Sequence, residues 1–239
     1  MDALELIGSR RHVMNWEKEI PEKSLIEKVL WKTWKVTPSK NNFMPYHVNV
    51  YGPDQMPLCK KIWQLSKKNK KMTNENHIPR TKTTPGVVDN DFEEWDDGDG
   101  TNIFFNHVKT APYLIVYSQR LCEPNEMYRK NVIGGDYYEP MHLSEMPNII
   151  RGVSVEVGMF AANLGAFALE EGLDTSTTLC FPGDYEDGWQ DIPGVEHPVM
   201  LMQTIGKCKT SKRQWQKKYE PQSDKEDRKP ECETVVRWI

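Results

Sequence analysis

The sequence predicts a fold that mixes helices with strands around one long, apolar helix. In residues 151–172, five large apolar side chains recur at spacings of three and four, which is the period of one helix face. These are Val153, Val157, Phe160, Leu164 and Phe167. Six small residues share the stretch: Ser154, Gly158, Ala161, Ala162, Gly165 and Ala168. A helix with one apolar and one small-residue face is expected to be buried nearly all round.

Two interpretations of this helix are open. It is either the central helix of a monomeric core, or a helix shared between the core and a subunit interface, with Gly158 and Gly165 on the interface face. A membrane span is not expected, because the apolar run is shorter than the roughly 20 residues that a span needs, and Asn163 is too polar.

Three further helices and four strands are predicted from local patterns. Residues 2–9 form a short helix with Leu4 and Ile7 inward, and residues 55–69 form a later one. Residues 21–34 form a helix with Pro21 in its first turn, where proline is favoured. Its apolar stripe consists of Leu25, Ile26, Val29, Leu30 and Trp34. The predicted strands are 46–51, which alternates, 111–117, which is apolar throughout and therefore central, 173–181 and 198–205.

Composition narrows the classes of partner. With 239 residues, 38% of them hydrophobic, the chain forms either one domain with insertions or two small domains. A net charge of −4 gives no reason to expect nucleic acid as the main partner, and the acidic N-terminus is not that of a signal peptide. Five cysteines without a CxxC pair argue against disulfides and a zinc site, and indicate reduced thiols in the cytoplasm.

Four clusters of residues could carry chemistry. Arg10-Arg11-His12 either complements a helix dipole or clamps a phosphate. Residues 38–46, Pro-Ser-Lys-Asn-Asn-Phe-Met-Pro-Tyr, suit a helix-to-strand loop, although such a loop does not explain an aromatic leading directly into a strand. The run 175–178, Thr-Ser-Thr-Thr, suits a strand or offers adjacent hydroxyls to a planar ligand. Residues 205–213 form a basic cluster, by default a solvated surface.

Taken in order, these clusters resemble the nitroreductase superfamily of FMN enzymes. The resemblance spans residues 3 to about 213, and Pro-Ser-x-x-Asn-x-x-Pro at 38–45 is its most specific part. It implies an α+β fold with a mixed sheet flanked by helices, in an intertwined homodimer whose interface contains the long helix. The FMN-binding domain would occupy residues 1–216, with insertions at about 67–107 and 121–148, followed by an extended tail at 217–239.

The resemblance also implies which residues bind FMN, in a cleft that both subunits line. Arg10, Arg11 and His12 match the phosphate and ribityl clamp, and Arg213 matches a late phosphate-binding arginine. Ser39 and Asn42 match loop residues that reach the flavin of the other subunit. The residues that match positions beside the isoalloxazine ring are Thr177, Thr178 and, through its backbone, Leu179.

One position departs from the family pattern. Met14 stands where relatives usually carry a cation facing the pyrimidine edge of the flavin, and such a cation favours the anionic reduced cofactor. Either a lysine from elsewhere in the chain supplies the missing positive charge, or the reduction potential of the flavin falls. Cys180 also differs from relatives, and a small buried hydrophobe is its expected role.

The implied function is a flavin-dependent oxidoreductase. FMN would accept hydride from NADH or NADPH and reduce a small planar acceptor such as a nitroaromatic, a quinone or an enone, without a side chain acting as acid or base. One alternative is a reductive dehalogenase of the iodotyrosine deiodinase type, the branch that Gly172-Leu-Asp-Thr-Ser-Thr-Thr resembles most. Glu94, Lys109, Tyr137 and Tyr138 are available for the lid of that branch, without an assignment of roles. Another alternative is a flavin-binding protein without turnover.

Overall fold

The structure is a computed structural model that describes residues 3–8, 10, 13, 16–17, 19–67, 108, 111–120, 147–179, 181, 185–207 and 235–236. Within these residues the helices are α1 (Ala3–Gly8), α2 (Lys23–Val36), α3 (Met56–Lys67) and α4 (Pro147–Glu170). The strands are β1 (Tyr46–Tyr51), β2 (Tyr113–Gln119), β3 (Asp174–Thr178) and β4 (Val199–Gly206). Short 3-10 turns occur at Lys40–Asn42, Pro53–Gln55, Tyr185–Asp187 and Trp189–Asp191.

The four strands form one sheet in the order β1-β2-β4-β3, and each described pairing is antiparallel. Val116 of β2 lies opposite Asn49 of β1 on one side and Met202 of β4 on the other. Every residue of β2 is buried, which confirms the prediction of a central strand. The α+β fold class is confirmed, whereas the mixed sheet is not seen in the described part of the chain.

Side chains alternate across β2 between two hydrophobic cores, so the fold has three layers. Ile115 and Tyr117 belong to the core beneath α2 and α4. Leu114 and Val116 belong to a second core, which contains α3 residues and the buried Trp189. Continuous apolar composition is what a strand covered on both faces requires.

The long helix α4 presents the predicted apolar face to the sheet. Val153, Val157, Phe160 and Leu164 are buried in the core. The small residues divide into two groups. Ala161, Gly165 and Ala168 are buried, whereas Ser154, Gly158 and Ala162 are exposed.

Gly158 and Gly165 are seven residues apart, so they lie on the same side of α4, and both line the same cavity. A Cβ atom at Gly165 would lie 3.1 Å from Oγ1 of Thr175 on β3, whereas one at Gly158 would meet nothing within 4 Å. Strand β3 thus covers Gly165 and leaves Gly158 exposed, and the predicted interface at these two residues stays a prediction.

By length and composition alone, Gly152–Glu170 is able to cross a membrane, contrary to the expectation from the sequence. The core helix of a soluble protein passes the same test. In this fold one side of the stretch packs against β3, β4 and α2.

Three details of the helices differ from their predictions. The side chain of Ile7 is 62% exposed and that of Trp34 is 58% exposed, whereas both were predicted to face inward. The inward face of α2 consists of Ile26, Val29 and Thr33, and Trp34 follows one residue later on a different side. Pro21 lies before the first turn, because α2 begins at Lys23 with Glu22 at its N-cap.

The C-terminus of α4 is joined to α2 by ion pairs. Gly172, with φ of +75°, ends the helix in a Schellman-type turn in which the Leu173 amide donates to the Ala168 carbonyl at 2.8 Å. Glu171 accepts from Lys28 at 2.7 Å and from Lys32 at 2.8 Å. Hydrogen bonds from these two lysines lower the pKa of Glu171 below its ordinary value of 4.5.

We expect Glu171→Gln to lower the melting temperature near neutral pH. A carboxylate with a depressed pKa stabilises the fold above its unfolded value, and that contribution disappears as the pH falls through the lower folded value. The melting difference between wild type and variant should therefore be largest near pH 7, decline below pH 4.5, the ordinary glutamate pKa, and vanish below the lower folded pKa. Calorimetry as a function of pH measures it.

The control is Glu27→Gln, which removes an exposed pair whose atoms are 3.7 Å apart and which lies within one helix. If both variants lower the melting temperature equally at every pH, the α2–α4 ion pairs stabilise the fold no more than the exposed pair within α2 does.

Candidate functional site

A cavity of about 490 Å³ lies between α1, the C-terminal half of α4, and strands β3 and β4. Its volume falls within the range of small-molecule and cofactor sites. Arg10 is the one charged side chain among the described residues that line it. The structure thus brings together two clusters that are 165 residues apart in sequence, Arg10 and Thr175.

Most of the α4 residues that line this cavity are glycine or alanine, the exceptions being Asn163 and Leu169. Gly158, Ala162 and Ala166 line it on successive turns, and a Cβ atom at Gly158 would meet nothing within 4 Å. Where the residues are small, the helix surface is nearly flat. Such a wall suits a planar ligand that lies face-on against it.

Strand β3 supplies hydroxyl groups on the opposite wall. Thr175 and Thr177 lie on the same face of the strand, because side chains alternate and Thr175 points at Gly165 of α4. Both line the cavity, as does Ser176 between them, whereas Thr178 does not. Of the two threonines predicted beside the flavin, the structure therefore brings Thr177 to the cavity.

Gln203 lines the first cavity and was not among the site residues predicted from the sequence. Its Oε1 accepts from the Tyr117 hydroxyl at 2.6 Å, and its Nε2 donates to the Ala161 carbonyl at 3.0 Å. Burial raises the pKa of Tyr117 well above 10, so this phenol stays a neutral donor. The signal in the sequence was a single amide in the otherwise apolar run of strand 198–205.

The loop that carries Ser39 and Asn42 lies away from the first cavity. Ser39 and Lys40 line a second cavity of about 540 Å³, beside Val155, Glu156 and Met159 of α4. Neither Ser39 nor Asn42 lines the first cavity. Both cavities open along α4, the first beside its C-terminal half and the second beside its N-terminal half.

Among the other predicted site residues, the structure describes Leu179, which it does not bring to the first cavity. Leu179 is 67% exposed and does not line it. Arg11, His12, Met14, Cys180 and Arg213 lie outside the described residues, so their assignments stay predictions.

No family model matches the chain, and no curated protein matches its sequence. Solved structures match it in fold. A protein assigned as an NAD(P)H:FMN oxidoreductase from Staphylococcus epidermidis superposes with a TM-score of 0.61 at 15% identity, covering 100% of this chain and 96% of that one. A protein assigned as a nitroreductase from Exiguobacterium sibiricum, in complex with FMN, gives 0.59 at 14% identity, with 100% and 98% covered.

A nitroreductase family protein from Streptococcus pneumoniae superposes with a TM-score of 0.57 at 14% identity, and both chains are covered completely. The similarity extends over whole chains rather than over one shared motif. The chain therefore has the nitroreductase-like fold that the motif order predicts.

We expect Gln203→Met to destabilise the protein by about 1–3 kcal/mol, because it leaves the buried Tyr117 hydroxyl without its partner. The shift of the urea unfolding midpoint measures this cost. Tyr117→Phe in the same background removes that unpaired hydroxyl.

The double variant should therefore be less destabilised than the sum of the two single variants. Strictly additive costs would show that Tyr117 and Gln203 act independently, against the network that the structure contains.

Proposed function

We propose that this protein is an FMN-dependent oxidoreductase that takes hydride from NADH or NADPH and reduces a small planar acceptor. The observation that carries the proposal is the first cavity, where a guanidinium and a strand hydroxyl face one flat wall of small residues. FMN supplies the hydride and electron transfer when it is bound, and the chain's residues bind and orient it. Nitroaromatics, quinones and enones are the acceptor classes that such a cleft would take.

The residues of the first cavity fit FMN in chemistry as well as in size. The small-residue wall at Gly158 and Ala162 would contact the planar ring system. Arg10 would pair with the phosphate, because guanidinium groups form charge-assisted hydrogen bonds with phosphate oxygens. Thr177 would donate a hydrogen bond to the ring edge. The solved structure from Exiguobacterium, which shares this fold, is a complex with FMN.

A homodimer would complete this site. The outward face of α4 exposes apolar surface, including Val155 at 61% exposure. The first cavity and the Ser39 loop both lie along α4, so a second copy packed on this helix would bring its loop towards the first copy's cavity. Ser39 and Asn42 would then contact the cofactor of the other subunit, as the resemblance implies.

The dehalogenase alternative gains no support from these observations. Glu94, Lys109, Tyr137 and Tyr138, the residues available for its lid, lie outside the described part of the chain. The alternative of a flavin store without turnover differs from the proposal in one property, the reaction of the bound flavin with a nicotinamide donor.

The purified protein should be yellow, and the cofactor released by heating should co-elute with FMN in chromatography. Anaerobic addition of NADH or NADPH should bleach the flavin absorbance. Flavin that stays oxidised with both donors would identify a store, and a colourless protein that does not take up added FMN would exclude the proposal.

We expect Arg10→Ala to weaken FMN binding by about 10- to 150-fold, because a charge-assisted hydrogen bond contributes about 1.5–3 kcal/mol. Fluorescence quenching during titration of the apoprotein measures the dissociation constant. Lys61→Ala on the exposed side of α3 is the matched control for loss of one positive charge. Equal affinities of Arg10→Ala and wild type would remove Arg10 from the site.

Leucine substitutions at Gly158 and Gly165 should affect different properties of the protein. Gly158→Leu places a side chain on the open side of α4 and in the first cavity, so we expect a folded chain that neither dimerises nor binds FMN. Gly165→Leu should lower stability itself, by about 1–3 kcal/mol from overpacking against Thr175. Sedimentation velocity and thermal melting separate the two effects, and a monomeric wild-type protein would refute the interface.

A further inference from the structure

The loop between α2 and β1 holds two residues in a conformation that side chains disfavour. Asn42 has φ of 57° and Met44 has φ of 46°, and they are the non-glycine residues with positive φ in the described part of the chain. Asparagine tolerates the left-handed region, but an unbranched apolar residue such as methionine rarely adopts it. Something outside the loop must therefore hold Met44 in place.

Arg120, the residue that follows β2, makes that connection. Its Nε donates to the Met44 carbonyl at 2.9 Å, and its Nη2 donates to the Phe43 carbonyl. Its own backbone amide donates to the Pro45 carbonyl at 3.1 Å. Three consecutive carbonyls of the loop are thus bound by one residue, and two of these bonds use the fixed fork of the guanidinium group.

The other side of the loop is held by α4. The backbone amide of Lys40 donates to Oε1 of the buried Glu156 at 2.8 Å. Inside the loop, the Met44 amide donates to the Ser39 hydroxyl oxygen at 2.8 Å. These bonds leave the Asn42 side chain exposed and Ser39 on the wall of the second cavity.

We propose that Arg120 is a positioning residue for flavin binding, which fixes the strained loop so that Ser39 and Asn42 meet the cofactor of the partner subunit. The inference rests on the proposed function and deepens it. Arg120 does not line the first cavity, so it would act on the cofactor through the loop carbonyls that it binds. Without Arg120, only a fraction of the molecules holds the loop in the binding conformation. The apparent affinity for FMN then falls in proportion to that fraction.

The test compares Arg120→Met, which keeps an apolar stem, with Arg120→Lys, which keeps the charge but loses the fork. Titration of each apoprotein with FMN measures the dissociation constant, beside the control Lys61→Met on α3. We expect binding to weaken about tenfold or more in Arg120→Met and by a smaller factor in Arg120→Lys. Binding as tight as in wild type in both variants would overturn the proposal.

A second substitution separates positioning from general stability. Glycine adopts positive φ without steric cost, so Met44→Gly in the Arg120→Met background should recover part of the lost affinity. In the wild-type background the same change should leave affinity equal or lower. A loss of equal size in both backgrounds would show that Arg120 does not act by holding Met44.

Amide hydrogen exchange tests the loop without any cofactor. In the apoprotein, the amides of Lys40 and Met44 should exchange faster in Arg120→Met than in wild type, while those of β2 remain protected. Unchanged exchange would refute the positioning role whether or not the protein binds FMN. Wild-type protein that binds no FMN would refute the proposed function and the link from the loop to the cofactor. The exchange measurement would still decide whether Arg120 orders the loop.

Discussion

The fold depends on the packing of α4 against the sheet. Phe160 lies at the centre of this contact, with its ring 5.9 Å from that of Tyr117 and 5.9 Å from that of Tyr46, both edge-on. One helical side chain thereby connects β1 and β2 to α4. Each buried Å² of apolar surface stabilises the fold by about 25 cal/mol, so a helix buried along one whole side contributes more than its glycines cost.

The same helix contributes to both the core and the first cavity because β3 covers only part of its small-residue side. Gly165 lets β3 approach until a Cβ atom would lie 3.1 Å from Thr175. That approach brings the hydroxyl face of β3 to the cavity. Gly158 and Ala162 form the flat wall. A larger residue at either place would change the distance between strand and helix or fill the space that a planar ligand needs.

Local patterns predicted the elements well, and long-range contacts explain the failures. Strand β1 spans the predicted residues 46–51, and the apolar face of α4 is the predicted one. Periodicity could not show that Trp34 points away from the core, because several sides of α2 carry apolar residues. Gln203 and Arg120 act on partners 42 to 86 residues away, which no local pattern reveals. The motif order led to Arg10 and the threonine strand, but only the structure shows that residues 175–177 line the cavity and that Thr178 does not.

The loop at Ser39–Met44 shows how a distant contact can hold a strained backbone in place. A non-glycine residue in the left-handed region costs about 1–2 kcal/mol. Hydrogen bonds from a charged group contribute about 1.5–3 kcal/mol each, so the Arg120 fork is sufficient to offset the strain at Met44. The loop is then ordered during folding rather than during association. Since ordering a loop at binding subtracts directly from affinity, a loop fixed beforehand leaves more of its contact energy for the ligand.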